Sequence, residues 1–173
     1  MRTLLKGGLV LLLLLGGMAT YGLLTPTISH SFDVTVNRPV IPVFTKLVAV
    51  NDAPQWIRGL ERAEPIGFNP IPGLPVGSYD LFYSKGISSR TFRLDIMEVD
   101  PLEKVKVRMS NGMMELECTA TFTPQGDRTL LSLETICKGK GIIAKMVLPY
   151  LKWRLASETE ENIARLKEIL ERN

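Results

Sequence analysis

The chain has 173 residues, 45% hydrophobic and 23% charged, with a formal net charge of +3. That is enough chain for one cored domain plus an appendage, and without a basic stripe interleaved with aromatics it argues against a nucleic-acid partner. One histidine (His30) and two cysteines (Cys118, Cys137) give no Cys/His cluster for a metal and no triad, so neither a metal site nor a cofactor is expected.

Residues 7–24, GGLVLLLLLGGMATYGLL, carry no charge and follow Arg2 and Lys6. Two readings fit. A cleavable signal peptide has a passable small-x-small site at Gly17-Met18-Ala19. An uncleaved anchor needs about 18–20 apolar residues to cross the hydrocarbon core, which this run just reaches. The apolar stretch continues past the cleavage site through Tyr21, Leu23 and Leu24, which favours the anchor. The basic flank then puts the N-terminus in the cytoplasm and the domain on the outer or periplasmic side; cleavage would make it secreted. The expected plan is an anchor or signal over 1–25, a tether over 26–30 that holds His30, and one domain over 31–173.

Phe32, Val34 and Val36 alternate with polar residues and predict a half-buried strand. Pro39 then suits a first helical position, and Pro42 still lies within the first turn, where a missing N–H costs little. A helix of about ten residues follows and ends near NDAPQW. From Leu60 the pattern turns to strands. Arg62 and Glu64 share parity with Leu60 and Ile66, so both can face inward; the alternative is a rim ion pair or a local bulge. The loop GFNPIPGLPVG, Gly67 to Gly77, mixes prolines with apolar side chains. It reads equally as a lid or membrane-touching edge and as a stiff connector.

Asn111-Gly112 signals a two-residue hairpin turn. It would pair Met109 with Met114, Val107 with Leu116 and Val105 with Cys118 on an apolar face, and Arg108 with Glu115 and Lys106 with Glu117 on the other. A four-residue DPLE turn pairs Ile96 with Val107 and Leu94 with Met109. Across SKGISS, Tyr79 and Leu81 meet Leu94 and Phe92. Across PQGDRT, Leu131 and Leu133 meet Phe122 and Ala120. Cys118 then lies opposite Thr135 and Cys137 opposite Leu116. The two thiols are diagonal at about 7 Å, so free cysteines are expected, with a bridge only if a bulge shifts the register. The chain closes with Leu148, Leu151, Leu155, Asn162, Leu166 and Ile169 or Leu170 at helical spacing, with Pro149 kinking or dividing the helix.

The order is strand, short helices, antiparallel meander and long C-terminal helix. In it VTVNRPVIPVFTKL, PQWIRGLE, PVGSYDLFY, TFTPQGDRTLLSLE and ARLKEILER follow one another within residues 31–172. With these motifs the chain resembles the START/Bet v 1-like (SRPBCC) superfamily, in its polyketide cyclase/dehydrase and lipid-transport branch. The resemblance implies an α+β helix-grip fold: a curved antiparallel sheet of about seven strands wrapped on the last helix, with two short helices after the first strand. It also implies a cavity between sheet and helix for a lipid or other apolar small molecule.

The inward positions expected to line that cavity are Tyr79, Leu81, Tyr83, Phe92, Leu94, Ile96, Val107, Met109, Met114, Leu116 and Leu133, with Leu151 and Leu155 from the helix and Trp153 at its edge. Arg62 and Glu64 are the polar candidates. Membrane-anchored binding or transfer of an apolar ligand is the leading expectation. The alternatives are a cyclase or dehydratase using Glu64 and a tyrosine, and an interaction module whose core is filled.

Overall fold

The structure, a computed structural model, describes residues 16–17, 19–25, 27–67, 77–85 and 88–172. Most of the expected anchor and the centre of the Gly67–Gly77 loop lie outside the described residues. Among them, no helix is long and apolar enough to cross a membrane.

Seven strands form one antiparallel sheet: β1 (Thr27–Val36), β2 (Leu60–Ile66), β3 (Ser78–Lys85), β4 (Ser88–Asp100), β5 (Lys104–Ser110), β6 (Met114–Gln125) and β7 (Arg128–Gly139). The sheet order is β1-β7-β6-β5-β4-β3-β2, a meander with β1 added beside its last strand. Helix α1 (Val40–Val48) and a 3-10 turn, Val50–Gln55, link β1 to β2. After β7 come a short α2 (Ile142–Val147), a 3-10 turn, Leu148–Leu151, and the long α3 (Lys152–Arg172). This is the helix-grip arrangement. Breaks in register at Leu60/Arg62 in β2 and at Ile96/Glu98 in β4 mark bulges, which bend strands and help a sheet curve around a helix.

The prolines act nearly as expected. Pro39 is the residue before α1, and Pro42 lies in its first turn, where the N–H it lacks would have no helical partner. No side chain caps this end. Instead Thr129 Oγ1 donates to Arg38 O at 2.8 Å, and Arg38 Nε donates to Leu170 O at 2.8 Å. The start of α1 is therefore tied to β7 and to the end of α3.

Two expectations need correction here. The expected tether is part of a strand: β1 begins at Thr27, and His30 pairs with Thr135 of β7. The β5–β6 hairpin is shifted by two residues, pairing Met109 with Leu116, Val107 with Cys118 and Arg108 with Glu117. The cause is local. Asn111 Oδ1 accepts from the N–H groups of Met113 and Met114 at 2.8 and 2.9 Å, and Asn111 N donates to Met114 O. The side chain closes a wider turn in which Asn111 caps the loop. A shift of two keeps every side chain on its face, so the expected ion pairs survive as diagonals: Arg108–Glu115 at 3.8 Å and Lys106–Glu117 at 3.4 Å. The other registers agree: Ile96 with Val107, Tyr79 with Leu94, Leu81 with Phe92, Leu131 with Phe122 and Leu133 with Ala120.

The core has two parts. One joins Val36, Val43, Phe44, Phe122, Leu131 and Leu133 to Ile163, Leu166 and Leu170 of α3, with the Phe44 and Phe122 rings edge-on at 5.3 Å. The other joins Leu60, Tyr79, Leu81 and Leu94 to Ala53 of the 3-10 turn. Every fully buried residue of α3 belongs to its second half.

Candidate functional site

The alternation of β1 reaches back beyond Phe32, so Ile28 and His30 share the inward face with Phe32 and Val34. Opposite them stand Leu116 of β6 and Thr135 and Cys137 of β7. Over them passes the first half of α3, with Leu155, Ala156 and Thr159. Ile28, Ser29, His30, Leu116, Thr135, Cys137, Leu155, Ala156 and Thr159 line a cavity of about 30 Å³, with Lys152 at its wall. That is room for roughly one water molecule.

The lining is apolar except for a small polar group. His30 Nε2 is buried, has no hydrogen-bond partner, and lies 3.6 Å from Glu160 Oε1, beyond bonding distance. The Thr135 hydroxyl donates to Cys118 Sγ at 3.7 Å. Thr159 Oγ1 is turned back onto Leu155 O at 2.9 Å. Among the lining side chains, His30 thus carries a buried ring nitrogen without a hydrogen bond, and Lys152 at the wall has no carboxylate partner among the described residues.

The thirteen expected lining residues divide into two groups. Tyr79, Leu81, Leu94 and Leu133 are fully buried and belong to the core. Tyr83, Phe92, Ile96, Val107, Met109, Met114 and Leu116 of the sheet, with Leu151 and Leu155, are only half-buried. The Tyr83 and Phe92 rings meet edge-on at 5.5 Å. Burial, and then the charge of Glu158 on α3, push the Tyr83 hydroxyl up to about 12, so it stays protonated and able to donate. Met109 and Met114 do not face each other as expected: Met109 lies across from Leu116, and Met114 from Gly139. Trp153 is 78% exposed rather than at the cavity's edge.

The polar candidates are placed elsewhere. The bulge at Leu60/Arg62 inverts the parity of β2, so Ala63 packs against the core while Arg62 and Glu64 are exposed. They pair with each other at 2.6 Å, and the Arg62 guanidinium sits 4.1 Å from the Phe82 ring centroid. Neither reaches the cavity. The sequence reading missed His30 because the strand was started at Phe32; the alternation Ile28, His30, Phe32 was the available signal.

Both cysteines are free, Cys137 buried and Cys118 half-buried. Burial pushes the Cys137 thiol up to about 11 and raises Cys118 as well, against an opposing hydrogen bond from Thr135. At pH 8 a thiol at about 11 is roughly one part in a thousand thiolate, the reactive form. Both thiols are expected to resist iodoacetamide in the folded chain and to react fully in denaturant. Mass spectrometry of the alkylated protein gives the count, and rapid labelling of the native chain would contradict this burial.

Solved structures share this architecture. A START superfamily protein from Mycobacterium smegmatis superposes with a TM-score of 0.65 at 19% identity, over 83% of this chain and 97% of that one. The chain shares the helix-grip fold of that protein. An aromatase/cyclase from Streptomyces gives 0.67 at 13% identity, over 84% and 94% of the two chains. Ara h 8.0201 gives 0.68 at 10% identity, over 85% and 99%. At these identities the likeness is one of fold. No family model matches the sequence, and no curated protein matches it.

Proposed function

We propose that this helix-grip domain binds a lipid or isoprenoid-like apolar molecule between the inward face of its sheet and the first half of α3. Membrane anchoring through the N-terminal run, with the domain on the outer or periplasmic side, completes the reading. One observation carries it: a continuous apolar face, Tyr83 through Leu116, is left half-buried where α3 contributes no fully buried residue.

The site as it stands holds about one water, so a guest must displace side chains or lift the start of α3. Methionines repack readily, and α3 is fixed by Ile163, Leu166 and Leu170 in its second half and by Leu148 just before it, with Leu155 to Thr159 between them not fully buried. Burying about 300 Å² of apolar guest surface is worth roughly 7 kcal/mol before the costs of association. His30 and the Tyr83 hydroxyl supply polar contacts that orient a head group.

Native mass spectrometry of the detergent-purified full chain, with solvent extraction of what it carries, tests this. A stoichiometric apolar guest is the expected result. An empty chain after incubation with total membrane lipid would overturn it in favour of the interaction module.

A second reading, cyclase- or dehydratase-type chemistry, finds support in the aromatase/cyclase neighbour and in the placing of His30 beside Glu160 at the cavity. It would run through His30, the available proton carrier, and not through Glu64, which is on the outside.

A further inference from the structure

The stretch from Lys138 to Ser157, KGKGIIAKMVLPYLKWRLAS, contains five basic residues and no acid. It folds as the end of β7, α2, the 3-10 turn and the start of α3. Leu148 is its fully buried anchor in the domain. On the outer side stand Ile142, Ile143, Val147, Tyr150 and Trp153, all exposed, with Ile143 at 73%. A solvated helix would carry charge at such positions; clustered exposed side chains of this size mark a surface that something covers. Lys140 and Arg154 pair with Glu115 and Glu158. Lys145 and Lys152 have no carboxylate partner among the described residues.

A second observation names the occupant. Residues 19–24 are helical and reach this same face. The Tyr21 and Tyr150 rings lie 6.3 Å apart, and a Cβ at Gly22 would fall 2.4 Å from Met146 Cα, so the glycine permits direct backbone contact with α2. Residues 19–24, the described end of the uncharged run, thus meet the domain at an apolar surface, where Leu23 and Leu24 are exposed as well.

We infer that the face from Ile142 to Trp153 seats in the interfacial layer of an anionic bilayer. Tyrosine and tryptophan favour the headgroup level, the isoleucines reach the acyl boundary, and unpaired lysines face lipid phosphates. The inference stands apart from ligand binding, since none of these side chains lines the cavity except Lys152 at its wall.

The test uses the full chain reconstituted in vesicles of phosphatidylcholine with phosphatidylglycerol, and lipids brominated near the headgroup as quenchers. The chain has two tryptophans, and Trp153→Phe isolates the exposed one. The expected result is strong quenching of the wild type that is lost in Trp153→Phe, and weakened when Lys145→Glu and Lys152→Glu are combined. Emission from Trp153 that ignores bromolipid but is quenched by aqueous acrylamide would overturn the inference, because the face is then in water. Emission shielded from both quenchers would overturn it too, and would assign the face to a protein partner.

Discussion

Leu166→Ala is expected to destabilise the domain by about 3 kcal/mol, within the range for emptying a buried leucine site. Leu166 is 1% exposed and packs among Val36, Val43 and Leu131, where α1, α3 and the sheet converge. Its neighbours are held by side-chain hydrogen bonds to backbone carbonyls, from Arg38 to Leu170 and from Thr129 to Arg38, so the surroundings cannot collapse cheaply into the cavity. The informative comparison is Leu155→Ala, eleven residues earlier on the same helix. Leu155 is half-buried beside a small void, and its truncation should cost less than about 1.5 kcal/mol. Urea unfolding of both variants, followed by intrinsic fluorescence, gives the two values. Equal losses would mean that α3 is clamped along its whole length, and the proposed entry of a guest beneath its first half would lose its physical basis.

That asymmetry was only partly legible in the sequence. Helical spacing marked Leu148, Leu155, Leu166 and Leu170, and Leu148, Leu166 and Leu170 are buried. The same stripe included Asn162 and passed over Ile163, its buried neighbour. Asn162 instead stands half-buried at the helix flank and accepts from Arg58 N at 2.9 Å. A period of 3.6 fixes the face to within one residue, and tertiary contact decides which of two neighbours points in.

In the sheet, side-chain parity was readable and register less so. The β6–β7 pairing followed from a charge argument, Glu115 beside Lys138, and stands as expected. The β5–β6 register did not, because Asn-Gly can close either a two-residue turn or a wider loop capped by the asparagine side chain, and both give identical faces. Bulges are the harder case. A rim ion pair or a bulge was the alternative for Arg62 and Glu64, but nothing in LERAEPI places the extra residue at Glu61, the insertion that turns both side chains to solvent. The lost polar candidates and the gained one, His30, have the same origin. Both depend on where strand pairing starts or skips, which is set by partner strands far along the chain.

The largest functional effect is expected from filling the space at Leu116. Its side chain stands across the small cavity from Leu155 and Ala156, so Leu116→Trp inserts an indole where about one water now fits. Overpacking of this kind costs about 1–3 kcal/mol of stability, which a chain of ordinary stability survives. Retention of an apolar guest should then fall by at least about tenfold, the factor that 1.4 kcal/mol of lost binding represents. His30→Ala should weaken a guest with a polar head by a similar factor, since one hydrogen bond to an otherwise orphaned ring nitrogen disappears. A guest that is wholly apolar should not notice. Glu64→Gln serves as the control, because its partner Arg62 and the Phe82 ring lie on the other face of the sheet from the cavity. Bound lipid, quantified after extraction from each purified variant, separates these outcomes. If Leu116→Trp carries as much guest as the wild type, the ligand is held elsewhere and the half-buried inner face is ordinary packing.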